Sequence, residues 1–120
     1  MAIKGGNVYV DNSEVTGLGE AGSISEPTVD NVSLSGFVDT GDGIYIETNY
    51  EKAIKLEVSG SDTRISSTAD GTYAIRVFPE ANYVTVSVTG GTFTSDIEAY
   101  LADGYYRSLM NDLTYVVTGP

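Results

Sequence analysis

Apolar and polar residues alternate with a period of two in several short segments of this chain, and this period predicts β-strands with one buried face. The clearest segment is Ala53–Val58, where Ile54, Leu56 and Val58 fall on one face and the charged Lys55 and Glu57 fall on the other. The other strands predicted in this way are Asn7–Asp11, Glu14–Thr16, Val32–Phe37, Ile44–Ile46, Arg64–Ser66, Tyr73–Phe78, Tyr83–Val88 and Leu113–Val117. We expect Arg64–Ser66 to be a short edge strand.

Turn-forming residues separate these segments. The run Asp39–Gly43 predicts a tight turn that joins the strands on either side of it in a hairpin. Four strand ends resemble one another, at Glu14–Gly17, Ser33–Gly36, Glu57–Gly60 and Ser87–Gly90. Their spacing grows along the chain, whereas a strict solenoid needs a constant repeat. The pattern leaves open a sandwich, a barrel and a short, irregular β-helix.

The period changes after residue 94. Ser95 and Glu98 have the spacing of a capping box, and Ile97, Tyr100 and Leu101 follow at helical spacing. We therefore predict one short helix near residues 95–103 that packs on a sheet. The fold class predicted for residues 1–120 is a single, mostly β domain.

Composition excludes several kinds of chemistry. The chain has 120 residues, with no cysteine and no histidine, so it offers no thiol nucleophile, no imidazole base and no zinc site built from these ligands. Seventeen acidic residues against 6 basic ones give a net charge of −11, which disfavours binding to nucleic acid or to an anionic membrane. No apolar run reaches the roughly 18 residues of a membrane span. We predict a protein that is not an enzyme and has no cofactor.

Carboxylates near the Asp39–Gly43 turn are the candidates for a metal site. Asp39, Asp42 and Glu47 could offer oxygen ligands to calcium, but the spacing of a calcium-binding loop is absent. We interpret them as solvated acids of a turn. No two acids are marked as a glycosidase pair, and no metal site is predicted.

Outward-facing aromatic and basic residues are the candidates for an interface. Tyr9, Tyr45 and Tyr83 could stack on sugar rings, so a glycan ligand is possible, or they could cover a protein interface. Arg76 is one of few cations among many acids and could pair with acids of a neighbouring subunit. We predict an interface that includes these four residues.

Two segments resemble parts of known families. Residues 86–105, which contain Gly90-Gly91-Thr92-Phe93 and Tyr100-Leu101-Ala102-Asp103-Gly104-Tyr105, resemble a unit of right-handed β-helix proteins on the surfaces of gut bacteria. That resemblance implies a strand end, a short helix, a closing strand at Leu113–Val117, and an adhesive or structural role. In the first half, Asn7–Asp11, Ser25–Val29 and the strand ends Ser35-Gly36 and Ser59-Gly60 resemble phage tail-tube proteins, which implies stacking in rings around DNA.

These observations favour a non-enzymatic structural protein of a bacteriophage virion, such as a capsid-exterior decoration, a fibre or a tail component. Residues 1–20 lack a secretion signal pattern, so we expect synthesis in the host cytoplasm followed by assembly in many copies, with itself and with other virion proteins. The alternative is a glycan- or protein-binding module of an adhesin at the bacterial cell surface.

Overall fold

A computed structural model describes residues 1–18, 28–29, 32–33, 41–48 and 50–120. The strands are β1 (Ala2–Ile3), β2 (Gly6–Asp11), β3 (Glu14–Gly17), β4 (Thr28–Val29), β5 (Val32–Ser33), β6 (Ile44–Glu47), β7 (Ile54–Ser59), β8 (Arg64–Ser67), β9 (Ile75–Phe78), β10 (Val84–Val88), β11 (Gly91–Phe93), β12 (Tyr106–Leu109) and β13 (Tyr115–Thr118). The fold is therefore mostly β, as predicted. In the described ranges no helix is both long and apolar enough to cross a membrane.

Nine of the strands form three parallel stacks. The first sheet has the order β1-β6-β9, the second β10-β7-β2, and the third contains β11-β8-β3. Strands that follow one another along the chain lie in different sheets, and the chain then returns to the first sheet. This path is a three-sided parallel β-helix with three rungs, β1-β2-β3, β6-β7-β8 and β9-β10-β11. It selects the irregular β-helix among the three architectures that the sequence left open.

The register places apolar side chains directly above one another inside the coil. Four columns run through the three rungs: Ile3–Ile46–Val77, Val8–Leu56–Val86, Val10–Val58–Val88 and Val15–Ile65–Phe93. In the middle rung the members of these columns are fully buried, whereas Val8, Val15, Val77 and Val86 in the outer rungs are only partly buried. Burial of apolar area in these columns is the main stabilising term of the fold.

The predicted repeat of strand ends is only partly a structural repeat. Glu57–Gly60 and Ser87–Gly90 occupy the same corner of successive rungs, since Val58 pairs with Val88. Glu14–Gly17 lies one corner further on, at the end of β3. Of Ser33–Gly36, only the first residue is described. The spacing in the sequence is therefore unequal because Glu14–Gly17 lies at a different corner from Glu57–Gly60 and Ser87–Gly90.

Gly17 marks a close approach between the first two rungs. A Cβ atom at this position would lie 2.3 Å from the backbone oxygens of both Gly41 and Asp42. No real side chain tolerates that distance to a backbone atom, so only glycine fits where β3 ends beside the start of β6.

Two predictions about strand pairing are wrong. Ile44–Glu47 does not form a hairpin with a preceding strand, because β1 and β9 already pair with its two edges in parallel. Most of the predicted partner, Val32–Phe37, lies outside the described residues. Arg64–Ser67 is not an edge strand either, since β8 lies between β3 and β11.

The C-terminal segment covers part of the third rung. β13 pairs antiparallel with β11, and β12 pairs antiparallel with β13, which extends the third sheet to five strands. The predicted helix is reduced to one 3-10 turn, Glu98–Tyr100. Ile97, Tyr100 and Leu101 do pack on the core, as predicted.

The predicted capping box is not formed. The Ser95 hydroxyl accepts a hydrogen bond from the Ala74 backbone N–H at 2.7 Å, so it is engaged by another part of the coil. Asp96 accepts from the Glu98 N–H at 2.9 Å instead. Leu101 is extended and forms a parallel bridge with Val88, which ends the helical turn.

Candidate functional site

A polar cluster covers the outer face of the first sheet. Its centre is Asp42, whose side chain is 0% exposed and lies 2.8 Å from the Arg76 Nε. Asp42 also accepts a hydrogen bond from the Tyr73 backbone N–H at 2.8 Å. The Arg76 guanidinium lies over the Tyr73 ring, 4.6 Å from its centroid. We call Asp42, Tyr45, Glu47, Tyr73 and Arg76 the first-sheet cluster.

Tyr45 belongs to this cluster and is buried, with 8% exposure. Its place on β6, between Ala2 and Arg76 in the register, does put it on the outer face, as its alternation with Ile44 and Ile46 predicted. Burial raises the pKa of the Tyr45 phenol, and the neighbouring Glu47 carboxylate raises it further. The expectation that Tyr45 presents its ring to solvent is wrong.

Tyr83 and Arg76 also make contacts within the chain. The Tyr83 hydroxyl donates to the Thr48 backbone oxygen, and the Thr48 hydroxyl donates to the Pro79 oxygen at 2.6 Å. These bonds join the end of β6 to the segment between β9 and β10. Arg76 and Tyr83 therefore connect the second and third rungs, and their predicted role at an interface stays a prediction.

Tyr9 is the exposed member of the predicted set, with 63% exposure. It lies on the outer face of the second sheet, next to Glu57 in the register. Lys55 and Glu57 form an ion pair of 3.0 Å on the same face, and this contact raises the pKa of Lys55. The face is polar and carries the accessible Tyr9 ring, which suits contact with a glycan or a protein.

Two of the three acids near the predicted turn, Asp42 and Glu47, are not solvated. Asp42 is buried in its ion pair, and Glu47 is 2% exposed with its carboxylate 3.7 Å from the Lys4 Nζ. Asp39 lies outside the described residues. Among those that are described, no group of three or more acidic residues is placed to hold a metal ion. The buried contacts could not be read from spacing, because they join segments about 30 residues apart in the chain.

A second ion-pair group holds the C-terminal segment in place. Arg107 on β12 contacts the Asp96 carboxylate through Nε and Nη2, and its Nη2 also lies 3.0 Å from Glu98. The hydrogen bond from Arg107 holds the pKa of Asp96 below its ordinary value of 3.8. This group ties the 3-10 turn to the last two strands.

The Arg107 contact predicts a measurable shift in titration. Replacing Arg107 by Gln should raise the pKa of Asp96 toward 3.8, because the charged donor is lost. The pKa of Asp96 is lower in the folded than in the unfolded state, so the ion pair stabilises the fold at pH values above the ordinary aspartate pKa. This stabilisation is lost as the pH falls through the pKa of Asp96 in the folded state. Carbonyl-detected NMR titration measures it. Asp112, held low by Thr114, is the internal control, and an unchanged Asp96 would contradict the assignment.

A cavity of about 370 Å³ lies beside the third rung. Its wall contains Val77, Val84 and Val86 from β9 and β10, together with Ala99 and Tyr100 from the turn and Glu80 from the connection. Burial raises the pKa of the Tyr100 phenol, and the Glu80 carboxylate adds to that effect. The inward alternation of the valines was the one signal of this cavity in the sequence. That no further rung among the described strands covers these valines could not be predicted from it.

Fold and surfaces together define a short β-helical protein with an apolar core, a polar outer face on its second sheet and a cavity of mixed polar and apolar lining beside its last rung. Comparison of the chain with known protein families, with curated proteins and with solved structures found no match.

Proposed function

We propose that this chain is a non-enzymatic structural unit of a bacterial cell-surface protein, and that it works by contacts of its sheet faces and strand edges. One observation carries the proposal. Residues 86–105, whose sequence resembles a unit of gut-bacterial surface β-helix proteins, contain the end of β10, the strand β11 and the 3-10 turn, and the antiparallel strands β12 and β13 follow directly after them. The order of strand, helical turn and closing strand is the one that the resemblance implies, and this order supports the proposal.

The interior and the surface support a structural role. The coil is filled by columns of apolar side chains, and the described acids with low exposure are bound in ion pairs that link rungs. A protein that catalyses needs titratable groups that converge on a cleft. The cavity beside the third rung has one carboxylate, one phenol and one threonine hydroxyl beside its apolar residues, which suits binding better than chemistry.

A bacteriophage virion is the second candidate setting, and the charge of the chain favours it. A net charge of −11 repels nucleic acid, which suits a component that lies near packaged or passing DNA without binding it. Of the segments that carry the tail-tube resemblance, Asn7–Asp11 is a strand and Ser59-Gly60 is a strand end, whereas Ser35-Gly36 and most of Ser25–Val29 lie outside the described residues.

Antibody labelling separates the two settings. Antibodies raised against the purified chain should label intact cells of the producing bacterium, and brief protease treatment of the cells should remove the label. Antibody absorbed with the purified chain is the control. Label confined to phage particles would overturn the cell-surface proposal in favour of the virion, and turnover of a polysaccharide that depends on one acidic residue would overturn the structural role in both settings.

A further inference from the structure

The third rung ends in strand edges that the described strands do not cover. β9 and β10 are the last strands of the first and second sheets. The cavity of about 370 Å³ lies next to them and is bounded on the other side by the turn Glu98–Tyr100. We call the free edge of β10 together with this cavity the third-rung groove.

Backbone groups of β10 alternate between its two edges. The Tyr83 oxygen accepts from Ile54 and the Thr89 N–H donates to Val58, so these residues face β7. In a parallel strand the N–H and C=O of one residue point to the same side, and those of the next residue point to the other side. Val84, Val86 and Val88 therefore direct these groups to the edge of β10 that lies away from β7. The Val88 oxygen does accept there, from the Ala102 N–H at 3.1 Å. Val86 therefore presents its N–H and C=O to the groove.

The chain itself shows how a strand would dock in the groove. Leu101 forms a parallel bridge with Val88, as the first contact of a fourth rung would. Residues before Leu101 do not continue this pairing along β10, because they form the 3-10 turn. An extended segment could therefore pair in the parallel direction with Val84–Val86. The 3-10 turn does not occupy this position.

The columns of the core define the side chains that fit. Val84 and Val86 each continue a column of aliphatic residues, above Ile54 and Leu56, and Val77 continues a third above Ile46. A further strand would place its inward side chain on these partly buried valines and in the cavity. Aliphatic side chains match the wall, and a basic residue beside them would complement the exposed Glu80.

We propose that the third-rung groove binds an extended segment of a partner protein, with alternating aliphatic residues and a flanking basic residue, by parallel pairing with β10. Pairing uses the backbone groups of Val86, and one aliphatic side chain enters the cavity. The described segments of this chain with alternating aliphatic residues are already built into rungs, so a second copy would have to unfold one to donate it. The inference holds for either setting of the proposed function.

A synthetic peptide tests the groove. The probe is acetyl-Lys-Val-Thr-Val-Lys-amide, and the matched control peptide has serine in place of both valines. With ¹⁵N-labelled protein, we expect amide shifts confined to residues 77–88 and 99–102, and slower hydrogen exchange of the Val86 N–H, with the valine peptide only. Ala99→Trp should fill the cavity and weaken binding at least tenfold, whereas Ala69→Trp, away from the groove, should not.

Charge complementarity has its own pair of variants. Glu80→Lys should weaken binding of the lysine-flanked peptide, and Asp62→Lys, which makes the same charge change at an exposed corner of the second rung, should leave it unchanged. An unchanged spectrum at millimolar peptide, equal binding of the serine peptide or full binding by Ala99→Trp overturns the proposal. Self-association of the protein that is abolished by Ala99→Trp also overturns the proposal, because the groove would then bind a second copy of this chain. None of these outcomes changes the antibody labelling that tests the proposed function.

Discussion

Replacing Phe93 by Ala should lower the free energy of unfolding by about 3–5 kcal/mol. Phe93 is 0% exposed and ends the column Val15–Ile65–Phe93, under the closing strand β13. Alanine removes most of an aromatic side chain from a position where the strands on both sides are fixed by hydrogen bonds. The coil cannot collapse into the space without losing its register, so the cost of the cavity adds to the loss of apolar burial.

Urea denaturation followed by circular dichroism measures this loss. The matched control is Thr85→Ala, an exposed position on the outer face of β10, which should change the free energy of unfolding by no more than about 0.5 kcal/mol. Small domains have only about 5–15 kcal/mol of stability, so a milder variant, Phe93→Leu, is measured as well. Phe93→Leu keeps most of the apolar side chain and should lose about 1.5 kcal/mol or less. A loss below about 1 kcal/mol for Phe93→Ala would contradict the assigned core.

The strands were predictable from the sequence because their alternation is local. Ile54, Leu56 and Val58 point inward in the structure as the period of two requires, and so do Val8 and Val10. The same period holds in a sandwich, a barrel and a β-helix, so it could not decide how strands pair. That choice depends on contacts between residues far apart in sequence, such as Val10 with Val58.

The helix shows how a tertiary contact overrides a local signal. Ser95 and Glu98 have the spacing of a capping box, and in isolation the serine would cap its own helix. In the coil the Ser95 hydroxyl accepts a hydrogen bond from the Ala74 backbone N–H. Ala74 is buried, so without Ser95 this N–H would lose its acceptor. An unsatisfied buried N–H costs about 1–3 kcal/mol, so one 3-10 turn is the better arrangement.

The candidate interface was predictable only in part, for the same reason. Tyr9 and Tyr45 both alternate with inward aliphatic residues, yet one is exposed and the other buried. Alternation predicts on which face of a sheet a side chain lies. It does not predict whether other parts of the chain cover that face. Arg76 was singled out for a neighbouring subunit, whereas its carboxylate partner is Asp42 of the same chain.

Replacing Asp42 by Ala should have the second large effect, a loss of about 2–3 kcal/mol in the free energy of unfolding. Breaking a buried ion pair costs about 3–5 kcal/mol when the remaining charge stays buried. Here the Arg76 side chain is 30% exposed, so water can solvate part of the guanidinium and the cost is smaller. The Tyr73 N–H also loses the acceptor that it has in Asp42.

A double-mutant cycle separates the pair from its surroundings. Arg76→Ala leaves Asp42 buried without its cation, and the double variant removes both charges, so the double variant should lose clearly less stability than the two single losses added together. Asp62→Ala, at an exposed corner, is the control and should leave stability nearly unchanged. Additive losses would show that the 2.8 Å contact between Nε and Oδ2 contributes no coupling energy. Sedimentation of Arg76→Ala tests the predicted interface separately: a smaller species than the parent protein would support a role of Arg76 between subunits, and an unchanged size would remove Arg76 from the predicted interface.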